Sequence, residues 1–309
     1  MGQQFGQLDG FRADASGPRV SGHRGARGAL PENTIEGFAF CQKIGIASIE
    51  FDVVMTKDRV PVVVHNHTLD GALARDAEGL WLPDPGPRVA EMTLAEVRAC
   101  NVGMANRGTE YGRRFSDQAV LPHAQAPTLD DVLTFAAKPE NASLSLLLEL
   151  KTDPDAPDLA QERAEMVATV VAQVRAAGLV DRTVMHSFDW GILDVARAQA
   201  PEMPTSYLSY LPKGLPGEDT DRTVMPSWEE VPASMPKAVV EAGGQMWCPH
   251  FLDVTPEGVA EAHALGLVVG TWTVNSVKEI NRMIDCGVDS IVTDYPGRVQ
   301  DCLLRRAAS

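Results

Sequence analysis

The 309-residue chain predicts an α/β fold, a parallel (β/α)8 TIM barrel with a small insertion on its C-terminal rim. Three observations carry that prediction. Apolar runs of strand length alternate with amphipathic runs of helix length, about eight times over, with connections of ordinary size. The length is large for one ordinary domain and usual for such a barrel. Polar residues collect at the C-terminal ends of the apolar runs, where barrels of this kind carry their chemistry. A doubly wound open sheet is the alternative, disfavoured because no GxGxxG turn follows the first strand.

Residues 19–25 read as the first strand. Asn33, with Glu36 three residues on, reads as the N-cap of a helix running to Lys43. Residues 44–54 (IGIASIEFDVV) form the second strand, and 59–65 (RVPVVVH) a short extended piece. Residues 66–127 break the rhythm. They are rich in Gly, Pro, Arg and Asp, with one helical patch at 93–99, and read as a rim insertion within a single domain spanning 1–309. The rhythm resumes with a helix at 128–137 and a third strand at 143–151 (SLSLLLELK). Helices at 159–177 and 190–200 alternate with strands at 182–188 and 205–211. Residues 213–236 are irregular and include a helix. Strands at 244–249, 267–274 and 288–295 then alternate with helices at 256–265, at 277–286 and at the C-terminus.

A net charge of −15 argues against non-specific nucleic-acid binding, which needs a surface rich in Lys and Arg. The five cysteines show no CxxC spacing, so neither a disulfide framework nor a zinc knuckle is expected. No stretch approaches the ~18 apolar residues of a membrane span, and the N-terminus lacks the charged and apolar regions of a signal peptide. A cytoplasmic protein without a stable membrane anchor is the expectation.

Two patterns carry the chemistry. Glu50-Phe51-Asp52 and Glu149-Leu150-Lys151 each end an apolar run. Residues i and i+2 of a strand share a face, so Glu50 projects with Asp52 and Glu149 with Lys151. Carboxylates on buried strand ends are costly unless paired, and a hard divalent cation is their natural partner. An anion suits the lysine. Gly22-His23-Arg24-Gly25 and Val64-His65 end other apolar runs. Metal, anion and two imidazoles together suggest phosphate-ester chemistry.

The run GHRGARGALPENTIEGFAFCQKIGIASIEFDVVMTKDRVPVVVH, followed by LELK, SFDW, TWTVN and GVDSIVTDYPGR, resembles the glycerophosphodiester phosphodiesterases. These are similar to the phosphatidylinositol phospholipase C-like TIM-barrel phosphodiesterases. The similarity extends over residues 20–297. The resemblance implies that Glu50, Asp52 and Glu149 hold one divalent cation, Mg²⁺ or Ca²⁺. It implies that His23 and His65 are the acid–base pair, and that Arg24 and Lys151 bind phosphate oxygens. It also implies that a glycerol hydroxyl of the substrate attacks phosphorus, giving a cyclic phosphate that water opens. One departure from the family matters: Asn66 stands where Asp commonly follows the second histidine, and His67 just beyond is also unusual and reads as a surface or cap-facing residue.

His186 and Trp272, near strand ends, are candidates to line the substrate pocket. Glu32 and Asn33 read as organising a helix start behind the site. Asp294 is open between pairing with a cation of the site and capping a turn. The expected activity is hydrolysis of a small-molecule glycerophosphodiester to glycerol 3-phosphate and an alcohol. A lysophospholipase D-like phosphodiesterase is the enzymatic alternative, and a catalytically silent binding barrel the non-enzymatic one. The head group, the preferred cation and the oligomeric state are not legible.

Overall fold

The computed structural model describes residues 5–211 and 232–308. In chain order the strands are β1 (Arg19–Gly22), β2 (Ser48–Met55), β3 (Pro61–Val63), β4 (Ser145–Leu150), β5 (Thr183–Ser187), β6 (Thr205–Ser209), β7 (Met246–Pro249), β8 (Val268–Thr271) and β9 (Ser290–Thr293). The helices are α1 (Ile35–Lys43), α2 (Leu94–Ala99), α3 (Glu110–Arg114), α4 (Leu129–Ala136), α5 (Leu159–Ala176), α6 (Trp190–Gln199), α7 (Met235–Glu241), α8 (Pro256–Ala264), α9 (Val277–Cys286) and α10 (Pro296–Ala307).

Eight of these strands pair in parallel and close into a ring, with β9 returning to β1 and β1 pairing with β2. The (β/α)8 barrel is therefore present. Its strands β2, β4, β5 and β6 are buried along their whole length, as parallel strands covered on both faces must be. The exception is β3, which folds back antiparallel on the end of β2, Val53 opposite Val63, outside the ring.

One apolar layer lies between strands and helices, with Phe51, Leu148, Met185 and Ile291 meeting residues such as Phe38, Val170 and Ile192. A second fills the barrel with Leu147, Val184, Met246, Val268 and Val292. Leu8 and Phe11, flanking the end of a short 3-10 turn at Gly6–Gly10, belong to that inner layer and close its N-terminal end. Gly10 is required there: an added Cβ would lie 2.0 Å from Ser145 Oγ at the start of β4.

Between β3 and α4 the chain builds α2 and α3, and α2 packs on a separate small cluster that includes Val64, Leu69, Val89 and Val97. Thr93 and Glu96 form a reciprocal cap on α2, as Thr128 and Asp131 do on α4.

Two expectations change. The N-cap of α1 is Thr34, whose Oγ1 accepts from Gly37 N at 3.2 Å, not Asn33. Asn33 has φ of 55° and turns its side chain toward β2 instead. Several strands are also shorter than the runs that predict them, because a run takes in part of the turn before or after its strand. The irregular stretch expected at 213–236 lies mostly outside the described residues, and its last part opens α7.

Candidate active site

Strand register assembles the site. In the β2–β4 ladder Asp52 stands opposite Glu149, and in the β4–β5 ladder Glu149 stands opposite His186. Glu50 shares the face of Asp52 two residues earlier. The carboxylate oxygens of Glu50, Asp52 and Glu149 lie within 4.8 Å of one another, all three side chains buried. After β1 the chain turns sharply through Arg24 (φ 49°) and Gly25 (φ 84°). That turn aims the Arg24 N–H at Glu50 Oε2, 2.9 Å away.

Two cations face the carboxylates. Lys151 Nζ lies 3.3 Å from Glu149 Oε1 and 3.9 Å from Asp52 Oδ1. Arg24 Nε lies 3.5 Å from Asp52 Oδ2. Burial, then the charges of Asp52 and Glu149, pushes the Glu50 carboxyl well above its usual range. Burial likewise raises Glu149, to about 7, against the pull of Lys151. Burial would raise Asp52 too, but His65, Arg24 and Lys151 outweigh it and hold that carboxyl below its usual range.

A hard cation fits this donor set. Glu50 Oε1 and Asp52 Oδ1 are buried and accept no hydrogen bond among the described residues. Buried carboxylate oxygens left in that state are expensive. All-oxygen carboxylate ligation is what Mg²⁺ or Ca²⁺ takes. The three could therefore hold one divalent cation.

The two histidines are supported by different partners. His23 Nδ1 donates to Asp294 Oδ1 at 2.7 Å, which leaves Nε2 as the cleft-side nitrogen. Burial, with the nearby Arg27 guanidinium, holds the imidazole below its ordinary value despite Asp294. Asp294 also accepts from Arg27 Nε at 2.8 Å and from Asn275 Nδ2 at 2.7 Å. Burial would raise its carboxyl, yet Arg27 and His23 hold it far below the usual range. His65 Nδ1 donates to Asn66 Oδ1 at 2.6 Å, and Asn66 Nδ2 passes a weaker bond to Asp70 Oδ2 at 3.3 Å.

His23, Arg24, Glu50, His65, Glu149, Lys151, His186 and Trp272 line one cleft of about 540 Å³ including its mouth, with Asp52 beside its Glu50 and Glu149. His186 Nδ1 bonds Ser206 Oγ at 2.8 Å, and burial takes its imidazole down to about 3. Trp272 stacks edge-on against Phe188, which lines the same cleft with Tyr210.

The chain matches the model of the glycerophosphoryl diester phosphodiesterase family over residues 23–298. It belongs to that family. It is accordingly an enzyme that acts on glycerophosphodiesters. A glycerophosphodiester phosphodiesterase of Bacillus altitudinis is 26% identical over 280 residues, 91% of this chain and 96% of the relative. A Silicibacter pomeroyi protein that bears a glycerophosphoryl diester phosphodiesterase name has a crystal structure with 53% identity, a TM-score of 0.92 and 98% coverage of each chain. An Oleispira antarctica phosphodiesterase, solved in complex with sn-glycerol-3-phosphate, shares the fold at 21% identity. Its TM-score is 0.69, with 93% of this chain and 97% of that one covered.

In this phosphodiesterase several residues stand closer to the chemistry than the sequence suggests. Glu32 accepts from Arg24 Nη1 at 3.0 Å and from Tyr111 Oη at 2.6 Å, and Asn33 Nδ2 donates to Asp52 Oδ2 at 2.9 Å. Both hold site residues directly rather than sitting behind them. Asp294 orients His23, a task that its place at a strand end hints at but cannot assign. Tyr111 carries no sequence signal, because its partner lies 79 residues away.

Proposed function

We propose that this phosphodiesterase cleaves its substrate to glycerol 3-phosphate and an alcohol by histidine acid–base catalysis, with Glu50, Asp52 and Glu149 holding one divalent cation, Mg²⁺ or Ca²⁺. The observation that carries the reading is the convergence of three buried carboxylates, two with unsatisfied oxygens, beside two imidazoles of fixed tautomer. The product found with the Oleispira antarctica protein of the same fold agrees with it. Residues 1–309 then form one domain, with 66–127 as its rim insertion.

Arg24 and Lys151 neutralise the phosphate oxygens and the charge that shifts in the transition state. The cation, when bound, adds Lewis-acid stabilisation of a phosphate oxygen. One imidazole takes the proton of the glycerol hydroxyl as its oxygen bonds to phosphorus. The bond from phosphorus to the head-group oxygen breaks, that oxygen keeps the electron pair, and the other imidazole protonates it. Water then opens the cyclic phosphate with the two roles reversed. The tethered hydroxyl is favoured over water by proximity. His186 and Trp272 shape the pocket around the glyceryl moiety.

The test is a substrate series followed by glycerol 3-phosphate release. Activity should vanish in EDTA and return with Mg²⁺ or Ca²⁺. A 2-deoxyglycerol analogue and bis(p-nitrophenyl) phosphate should be poor substrates, since neither offers the hydroxyl. Equal rates on a glycerophosphodiester and its deoxy analogue would end the cyclic-phosphate route, and EDTA-resistant activity would end the cation's role.

A further inference from the structure

A second cavity shares His65 with the first. It measures about 410 Å³ including its mouth and lies between the end of β3 and the segment that follows it. Leu69, Leu73 and Val102 give it an apolar wall, and Asn33, Asp70 and Glu32 supply polar atoms. No Lys or Arg is among its lining residues. Glu32 is committed to Arg24 and Tyr111. Asp70 is half-buried and takes two neutral donors, the Ala72 N–H at 2.9 Å and the Asn66 amide. Asn33 is 3% exposed. Its Nδ2 is spent on Asp52, and its Oδ1 accepts no hydrogen bond among the described residues. Among the described residues the cavity thus offers a carboxylate without a cation and a buried acceptor without a donor.

We propose that this cavity seats the leaving alcohol of the substrate, and that the alcohol it favours carries a protonated amine on a short carbon chain. The inference rests on the active-site reading above, in which a histidine protonates the departing oxygen, and His65 borders both spaces. An ammonium N–H can satisfy Asn33 Oδ1 and offset Asp70, while the carbons lie against Leu69, Leu73 and Val102. A trimethylated ammonium has the charge but no N–H, so it leaves Asn33 unsatisfied. An anionic head group meets Asp70 and Glu32 with like charge.

The experiment compares kcat/KM for the methyl, aminoethyl, trimethylaminoethyl and glyceryl esters of glycerol 3-phosphate. The aminoethyl ester should lead its trimethylated counterpart by about tenfold, the scale of one hydrogen bond to a charged group. Asp70→Asn should lower kcat/KM for both cationic esters relative to the methyl and glyceryl esters, and any common loss transmitted through Asn66 and His65 cancels in that comparison. Val102→Phe, which narrows the cavity, should depress the extended esters relative to the methyl ester. If Val102→Phe does not fold, Asp70→Asn decides alone. No wild-type preference for the aminoethyl ester, or cationic esters that lose nothing against the neutral ones in Asp70→Asn, overturns the proposal. Failure to cleave even the methyl ester would instead overturn the active-site reading.

Discussion

His23 leans on a carboxylate and His65 on an amide. Replacing either by Ala should lower kcat by about 10²-fold or more, the usual scale of general acid–base catalysis. Wild-type turnover in either variant would remove that residue from the mechanism. Asp294 has two tasks, since one carboxylate orients His23 and neutralises the buried Arg27. Asp294→Asn keeps the shape but leaves a buried guanidinium poorly compensated, so it should cost about 3 kcal/mol of stability. It should lower kcat as well, by loosening the tautomer of His23. Denaturant melts and kinetics on one preparation check both, and a variant as stable as wild type would show that Glu32, whose Oε2 lies 3.7 Å from Arg27 Nη1, suffices for Arg27.

At the scale of elements, α3 joins Arg24, the proposed phosphate ligand, through one hydroxyl. Tyr111 donates to Glu32, Glu32 accepts from Arg24, and the ring of Phe115, which follows α3, lies 4.7 Å from the Arg27 guanidinium. Glu32 therefore ties a segment far along the chain to the turn after β1. Tyr111→Phe removes a donor from a buried carboxylate and should cost about 1–3 kcal/mol. A loosened Glu32 no longer fixes Arg24, so KM should rise more than kcat falls. An unchanged KM would mean that Arg24 is held by Glu50 and Asp52 without help from α3.

For the whole molecule, the carboxylate cluster sets a pH dependence that a cation should reverse. The folded-state pKa of Glu149 is raised from 4.5 to about 7, and that of Glu50 is raised as well. A raised carboxyl binds its proton more tightly in the native state than in the unfolded chain. Its contribution to stability is present at low pH and fades as pH climbs from about 4.5 to 7. A divalent cation needs the ionised form and relieves its repulsion, so it stabilises more where protons no longer compete. Mg²⁺ or Ca²⁺ should therefore raise Tm more at pH 8 than at pH 5, and Glu149→Gln should abolish most of the difference. Equal shifts at both pH values would show that the cation binds elsewhere. Among the described residues no helix is long and apolar enough to cross a membrane.

The sequence by itself determined the barrel and the residues that cluster at its rim. The order of strand-like and helix-like runs follows from local periodicity, and parallel strands joined by helices have few ways to close. The pairing of Glu50 with Asp52 follows from the two-residue repeat of a strand, which is also local. Closure of the carboxylate trio needed the tertiary structure, because Glu149 joins Asp52 through ladder register between β2 and β4. So did the supports. Asp294 reaches His23 across the β1–β9 seam, Tyr111 reaches Glu32 from α3, and Asn33 leaves its expected cap to hold Asp52. These bonds join positions from 19 to 271 residues apart, and no periodic pattern encodes them. They exist because each buried charge or polar atom must find a partner in whatever the fold places beside it.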